Sequence, residues 1–345
     1  MYAQVLHEWG GEVVYEEVPT PVPGPGEALV KVEACGVGLT VLNYMQGNMG
    51  RRPEDLPRIP GHEIVGKVVA LGAGTGGLQV GDRVMAYFYL TCGRCDFCRL
   101  AHEPLCRNFQ GYVGVARDGG YAEYVTLPAA NLLPVPEGIP PVEATAIPDA
   151  IATPFHVSRR AGIGPGDLVM VVGAGGGVGI HMVQMARVFG ADVIAIDLGE
   201  EKLKATRELG ALATLDFRSP GLVESVRSVA PLGVSVAVDF VGKPETLSFC
   251  QDVLGRRGRL VFLTTFPGVT TEVSPRRMVL DELTLMGSRY TSRWELLQAA
   301  RLVAEGRIKP VVSSVVPLSR VRELHDRLRA GTLLGRGAVA LEDDS

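Results

Sequence analysis

The chain has 345 residues, which is enough for two domains that each bury a core of their own. Hydrophobic residues make up 46% and charged residues 21%, a composition typical of globular proteins and unlike that of disordered or fibrous ones. The net charge is -4 and the basic residues are scattered singly or in pairs, which excludes an extended basic surface for nucleic acid.

The N-terminal stretch carries no recognisable targeting signal. MYAQVLHEWGGEVVYEEV mixes apolar and charged residues, whereas a signal peptide begins with a basic segment and continues with an apolar run. The most apolar run of the chain, LVMVVGAGGGVGIHMV, is interrupted by five glycines and a histidine, so it predicts a buried strand and turn rather than a membrane span. We therefore expect a cytoplasmic protein with no membrane partner.

Short β-rich runs occupy the chain up to about residue 150. EALVKVEA, EIVGKVVALG and GGYAEYVTL are separated by turns rich in glycine and proline, and helix signals are sparse between them. This texture predicts an all-β, barrel-like domain over residues 1–150.

Four of the six cysteines crowd into this first domain. Cys92, Cys95 and Cys98 have CxxCxxC spacing, and Cys106 follows seven intervening residues later. In a reducing compartment such density indicates metal rather than disulfides, and four thiolates close a tetrahedral shell around Zn²⁺ without an open position. The spacing differs from that of bacterial ferredoxins, so we predict a structural zinc lobe over 92–106, with four free thiols as the alternative.

The texture changes after Gly162 to alternating strands and helices. LVMVVGAG, IHMVQMARVFG, DVIAID and EEKLKATRELGA predict a parallel, doubly wound sheet over residues 151–286. VSVAVDFVG, GRLVFLTT and LTLMGSR add strands, and TLSFCQDVLG adds a helix. Two further helices, WELLQAARLVAEGRI and VRELHDRLRAG, precede a closing strand in GRGAVALE. We expect residues 287–345 to return to the first domain.

A glycine-rich turn, GAGGGVG, follows the first strand of this second domain and opens a helix. Glycines there permit a tight turn and let the backbone approach a pyrophosphate at the helix N-terminus. Asp197 ends the next strand, where a carboxylate binds the ribose 2'-hydroxyl and repels a 2'-phosphate, so we predict NAD(H) rather than NADP(H). A turn that merely joins strand to helix is the alternative. The predicted cofactor-binding residues are Gly173, Gly175, Gly176, Gly177, Val178, Gly179, Asp197 and Lys202.

Taken in order, GHEIVGKVVALG, GDRV, the four-cysteine lobe, GAGGGVG and the terminal GR resemble the medium-chain zinc alcohol dehydrogenase family. The resemblance extends from about residue 3 to about residue 341. It implies an α/β protein with a GroES-like β-rich catalytic domain and a Rossmann-type dinucleotide-binding domain. It also implies a homodimer or homotetramer.

Members of that family typically bind a catalytic zinc through a cysteine of a CGVCxTD-like segment, the histidine of GHE, and a third cysteine or acid. Aligned on this pattern, ACGVGLTVLN places Cys35 at the cysteine that is not a ligand and Gly38 at the position of the ligand. We expect Cys35 to be a buried, inert thiol. His62, Glu63 and Asp149 remain, and could supply one nitrogen and two oxygens to a catalytic zinc. A metal-free site is the alternative.

The resemblance also assigns residues around the substrate and cofactor. Thr40 keeps the hydroxyl that bonds the substrate oxygen, and Asn43 stands where a relay histidine often lies. An asparagine forms hydrogen bonds but does not titrate, so a proton relay through Asn43 is expected to be weakened. Arg336 matches the family's terminal arginine, which could pair with the cofactor pyrophosphate, with a merely exposed arginine as the alternative. Phe88 and Tyr89 fall near the family's substrate pocket, with core packing as the alternative.

These observations predict an NAD(H)-dependent oxidoreductase that interconverts a small alcohol and its aldehyde or ketone, with an atypically ligated catalytic zinc. A second hypothesis is a zinc-free NAD(P)H-dependent reductase of quinones or enones, which Gly38 and Val41 favour and which His62, Asp149 and the cysteine lobe oppose. A third is a non-catalytic nucleotide-binding protein on the same fold.

Overall fold

The computed structural model of the chain describes residues 1–49, 55–264 and 266–341. It divides into two compact units: Met1–Asp149 with Thr291–Gly306 and Pro310–Ser345, and Ala150–Tyr290 with Arg307–Lys309. The predicted boundaries, after residues 150 and 286, lie within a few residues of this division. Arg307–Lys309, predicted in the first domain, belongs to the second unit because Lys309 exchanges two hydrogen bonds with the side chain of Gln184.

Fifteen strands lie in the described residues. They are β1 (Tyr2–Val5), β2 (Val14–Glu17), β3 (Glu27–Val37), β4 (Glu63–Leu71), β5 (Arg83–Ala86), β6 (Tyr124–Pro128), β7 (Leu132–Pro134), β8 (Leu168–Val172), β9 (Asp192–Asp197), β10 (Ala213–Asp216), β11 (Val234–Asp239), β12 (Leu254–Phe262), β13 (Thr284–Gly287), β14 (Val312–Pro317) and β15 (Arg336–Ala340).

Eleven α-helices lie in the same residues. They are α1 (Leu39–Met45), α2 (Asp96–Arg99), α3 (Pro141–Ala144), α4 (Ala152–Arg160), α5 (Gly179–Val188), α6 (Glu200–Glu208), α7 (Leu222–Val229), α8 (Pro244–Val253), α9 (Pro275–Leu280), α10 (Arg293–Ala304) and α11 (Val321–Arg329). A π-helical turn covers Ile147–Ile151. Within the described ranges, none of the helices combines the length and apolar character needed to cross a bilayer.

The first unit is built on a mostly antiparallel sheet of seven strands, ordered β14-β15-β3-β4-β5-β7, with β6 also paired to β3. The long strand β3 is its centre. One edge of β3 pairs with β6 along Glu27–Lys31 and with β15 along Ala34–Val37, and its other edge pairs with β4. Alternate residues of β3 are buried, as the apolar-polar alternation of EALVKVEA predicts.

The second unit contains a six-stranded parallel sheet in the order β10-β9-β8-β11-β12-β13. This is the doubly wound order: β9 and β10 are added on one side of β8, and β11, β12 and β13 on the other. Successive residues of β8 face opposite sides: Val169 and Val171 pack into one buried cluster, Met170 and Val172 into the other. Burial of both faces explains why these strands are continuous apolar runs.

Candidate active site

The four cysteines of the predicted lobe lie together in the first unit. The Sγ atom of Cys98 is 3.5 Å from that of Cys95 and 4.0 Å from that of Cys92, and Cys106 is 3.5 Å from Cys92 and 4.0 Å from Cys95. A zinc tetrahedron with bonds of about 2.3 Å to sulfur has edges of about 3.8 Å. The four thiols therefore fit a structural zinc, and the remaining two cysteines, Cys35 and Cys250, are fully buried elsewhere.

Backbone hydrogen bonds lower the pKa values of Cys92 and Cys95 and so favour their thiolates, whereas burial raises the pKa of Cys98 to about 12. Backbone N–H groups of Arg94 and Cys95 lower the pKa of Cys92 to about 6. Helix α2 begins within the cysteine sequence, and a bidentate ion pair joins Arg107 to Asp96 on it, with both N–O distances 2.7 Å. A zinc ion bound here would be coordinated by all four cysteine sulfurs, and these bonds would hold the loop together.

The glycine turn of the second unit lies between β8 and α5, as predicted. Gly173 has a positive φ of 78°. A Cβ on Gly179 would lie 2.0 Å from the backbone oxygen of Gly173, and one on Gly175 would lie 2.5 Å from Cβ of Lys202. These positions require glycine because the helix and the following segment approach the turn too closely for a side chain. Gly176, Gly177 and Val178 complete the turn that opens α5.

Asp197 lies at the end of β9 beside this turn. Its Oδ2 accepts a hydrogen bond from Gly175 N at 2.7 Å, and its Oδ1 accepts one from Leu198 N at 2.7 Å. The ammonium of Lys202 is 3.7 Å from Oδ1. The carboxylate is thus held in place against the glycine turn, which is where the ribose of a dinucleotide is expected.

His62, Glu63 and Asp149 converge in the first unit, and each can offer one ligand atom within 4.8 Å of the others. His62 Nε2 is 3.7 Å from Asp149 Oδ2, and the His62 ring packs on Phe88 with centroids 4.5 Å apart. Glu63 is fully buried, and this burial raises its pKa to about 7, although Arg336 opposes the shift. Asp149 is carried by the π-helical turn.

Arg336 occupies the centre of this cluster. Its Nη2 donates to Glu63 Oε1 at 2.5 Å and to Asp149 Oδ2 at 2.7 Å, and the residue is only 5% exposed. Burial disfavours its charge, but the two carboxylates outweigh burial and raise the pKa of Arg336. Its predicted contact with a cofactor pyrophosphate stays a prediction.

This donor set fits a catalytic zinc poorly. Gly38 has no donor atom, and one oxygen of each carboxylate already accepts a hydrogen bond from Arg336. A zinc ion would have to share both acids with a bound guanidinium, without the thiolate that normally offsets its charge. The predicted ligation by His62, Glu63 and Asp149 remains a prediction, and the arrangement favours the metal-free alternative.

The other predicted residues of the first unit lie on neighbouring elements. Thr40 is in the first turn of α1 and Asn43 in its second, both half-buried. Cys35 is fully buried on β3, and burial, with the charge of Glu63, raises the pKa of its thiol well above the usual range. Such a thiol is inert, as expected. Phe88 and Tyr89 belong to a group of mutually packed aromatic rings.

Comparisons with known proteins match both units. The model of the alcohol dehydrogenase GroES-like domain matches residues 24–137, and that of the zinc-binding dehydrogenase domain matches residues 177–305. An alcohol dehydrogenase of Geobacillus stearothermophilus is 32% identical over the full length of both chains. The chain belongs to the zinc-containing alcohol dehydrogenase family. This membership and its two-domain α/β fold confirm the predictions from sequence.

Two further similar proteins bear on the activity of this chain. The crystal structure of an NAD-dependent alcohol dehydrogenase superposes with a TM-score of 0.91 at 32% identity, covering 99% of this chain and 100% of that one. An acryloyl-coenzyme A reductase of Sulfurisphaera tokodaii is 31% identical over 94% of this chain and 95% of its own. The chain is an oxidoreductase of this family.

The pairing of Arg336 with Glu63 and Asp149 is the feature of the site that the sequence analysis missed. The family resemblance assigns Arg336 to the cofactor and the two acids to a metal, so neither assignment suggests that they pair. The one signal in the sequence is Gly38, which leaves a small residue where the family pattern has a cysteine.

Proposed function

We propose that the chain is an NAD(H)-dependent oxidoreductase that interconverts a small alcohol and its aldehyde or ketone. The observation that carries the cofactor assignment is the carboxylate of Asp197, which is fixed on the glycine turn by Gly175 N. There it can accept the ribose hydroxyls of NAD(H) and repel the 2'-phosphate of NADP(H). The alcohol dehydrogenases among its relatives support the substrate class.

Reduction of a carbonyl adds hydride from the nicotinamide to carbon and a proton to oxygen. We assign the interactions with the carbonyl oxygen of the substrate to His62 and Thr40. His62 Nε2 is buried and has no hydrogen-bond partner within the described ranges, so it is available to donate to an oxygen atom. The hydroxyl of Thr40, in the first turn of α1, is the group that the family resemblance assigns to the substrate.

Hydride addition to an activated carbon-carbon double bond is the second candidate, which corresponds to the zinc-free reductase hypothesis. In that reaction, hydride adds to the β-carbon of an enone or of an unsaturated thioester, and a proton adds to the α-carbon. The observation that favours it is the ion pair of Arg336 with Glu63 and Asp149, which engages the residues expected to bind zinc. The relative named acryloyl-coenzyme A reductase supports it.

One probe distinguishes the two reactions. A conjugated enone such as 2-cyclohexenone offers both a carbonyl carbon and a β-carbon to the same hydride. The protein is incubated with this enone and NADH deuterated at C4, and the products are separated by gas chromatography with mass detection. Deuterium on the carbinol carbon of the allylic alcohol supports the first candidate, whereas deuterium on the β-carbon of the saturated ketone supports the second.

The same assay is extended to saturated aldehydes, ketones, quinones and short unsaturated thioesters, with NADPH beside NADH. Turnover of saturated carbonyl compounds with a preference for NADH is the expected result. Binding of NADH without hydride transfer to any member of the panel would overturn both candidates in favour of the non-catalytic nucleotide-binding protein.

A further inference from the structure

We propose that the guanidinium of Arg336 is the resident cation of this cluster and takes the place of a catalytic zinc, so that the chain binds about one zinc ion in its cysteine lobe and none beside His62. The inference concerns the first unit alone and is independent of which substrate is reduced. It rests on the way three strands bring charged side chains together.

Arg336 and Glu63 come from opposite sides of the central strand. β15 pairs with one edge of β3 and β4 with the other. Gly36 lies opposite Glu63 on β4, and the register of β15 places Gly337 opposite Val37, so that Arg336 comes next to Gly38. Gly38 follows the last residue of β3 in an extended conformation, so Gly36 and Gly38, two residues apart, lie on one face of the extended chain. On that face the two long side chains meet over the strand.

The two glycines make this meeting sterically possible. A Cβ built on Gly36 would lie 2.0 Å from Glu63 Oε2, and a Cβ on Gly38 would lie 2.0 Å from Arg336 Nη1. Gly38 has an extended backbone with φ -137°, so any L-residue could adopt its conformation. What excludes a side chain at position 38 is therefore the guanidinium and not the backbone. The space of the missing cysteine side chain is filled by Arg336.

The charges of the cluster lead to the same conclusion. Glu63 is fully buried and Asp149 is partly buried, so their carboxylates favour a nearby cation, and Arg336 supplies it with hydrogen bonds to both at 2.5 Å and 2.7 Å. A zinc ion would compete with Arg336 for the two carboxylates, with one imidazole and no thiolate as further ligands, and it would be repelled by the guanidinium. A fixed, protein-borne charge that cannot be deprotonated thus replaces the exchangeable ion.

A site of this kind does not polarise a substrate oxygen through a metal. Arg336 is itself 5% exposed and pairs with both acids, so its charge offsets theirs. Within the described residues, three buried atoms of this cluster have no hydrogen-bond partner: His62 Nε2, Glu63 Oε2 and Arg336 Nε. Without a metal, carbonyl reduction at this site would depend on a hydrogen bond from the His62 imidazole to the substrate oxygen.

The test is a zinc count by elemental mass spectrometry. The unsubstituted protein is purified without added metal, and a second sample is incubated with excess zinc and desalted. Three variants accompany it: Cys95→Ala, Asp149→Ala and the double variant Gly38→Cys/Arg336→Met. We expect about one zinc in both samples of the unsubstituted chain and in Asp149→Ala, about none in Cys95→Ala, and about two in the double variant, which combines a restored thiolate with a vacated centre.

About two zinc ions in the unsubstituted protein, falling to about one in Asp149→Ala, would overturn the proposal. So would a folded double variant that binds no more zinc than the parent chain. Folding is checked by circular dichroism; if the double variant does not fold, the counts for the unsubstituted chain and Asp149→Ala decide alone. No count depends on turnover, so a failure of this inference is distinguishable from a failure of the proposed function.

Discussion

The Tyr121 hydroxyl lies 3.4 Å from His325 Nε2, and both residues are fully buried in the first unit. His325 is on α11, beside Arg322, Asp326 and Arg329. Burial lowers the pKa of His325 to about 4, and the two arginines act in the same direction while Asp326 opposes them. The imidazole of His325 is therefore neutral in the folded protein above about pH 4.

This lowered pKa predicts a loss of stability in acid. An unfolded chain protonates the imidazole below about pH 6.5, whereas the folded chain does so only below about pH 4. The unfolded state thus binds more protons in this window, and the free energy of unfolding falls by about 3 kcal/mol as the pH drops through it. His325→Gln keeps a hydrogen-bonding group without this titration. The free energy of unfolding in urea will differ less between pH 7.5 and pH 4.5 for His325→Gln than for the parent, and an equal difference in the two proteins would contradict the prediction.

Asp197→Asn will weaken the discrimination against NADPH. The amide keeps an oxygen that can accept from Gly175 N, but it removes the charge that repels a 2'-phosphate. We expect the ratio of kcat/KM for NADH to that for NADPH to fall roughly 10- to 100-fold, equivalent to about 1.4 to 2.7 kcal/mol. The matched control is Asp192→Asn, which removes a carboxylate from the exposed first residue of the same strand. An unchanged ratio in Asp197→Asn would refute the assignment.

Loss of the lobe zinc will expose the segment 92–106 to proteases. Cys95→Ser removes one of four ligands, so the loop loses the link that holds its ends together. We expect trypsin to cleave the variant at Arg94 or Arg99 at least about tenfold faster than the parent, because local opening becomes easier. Cys250→Ala, which removes a buried thiol from the second unit, will leave both zinc content and lobe cleavage unchanged. Equal cleavage of Cys95→Ser and its parent would contradict a structural role for the metal.

Gly38→Ala will destabilise the first unit by about 1 to 3 kcal/mol through overpacking. Its methyl group would collide with Arg336 Nη1, and the guanidinium cannot move aside without breaking its hydrogen bonds to the carboxylates of Glu63 and Asp149. Gly76→Ala serves as control, because a Cβ there meets nothing within 4 Å. The denaturant midpoint of each variant checks the prediction, and identical midpoints would show that Arg336 yields its position without cost.

Much of the fold follows from local patterns. DVIAID coincides with β9, and IHMVQMARVFG contains most of α5. Both were predictable because a buried parallel strand and an amphipathic helix each have a characteristic pattern of apolar residues. EALVKVEA predicts the start of β3, although the strand continues to Val37 where β15 pairs with it. The end of a strand is harder to predict from the sequence when it depends on pairing with a strand far away in the chain.

The sequence by itself determined the family, the two-unit fold, the cysteine lobe and the glycine turn, because each depends on motifs of residues that are close together in the chain. The tertiary structure decided the state of the remaining site. Arg336 and Glu63 are 273 residues apart, and only the pairing of β15 and β4 on the two edges of β3 brings them together. In the sequence, Gly38 stands where the family pattern has a cysteine ligand. In the fold, the guanidinium of Arg336 fills the space that a side chain at this position would occupy.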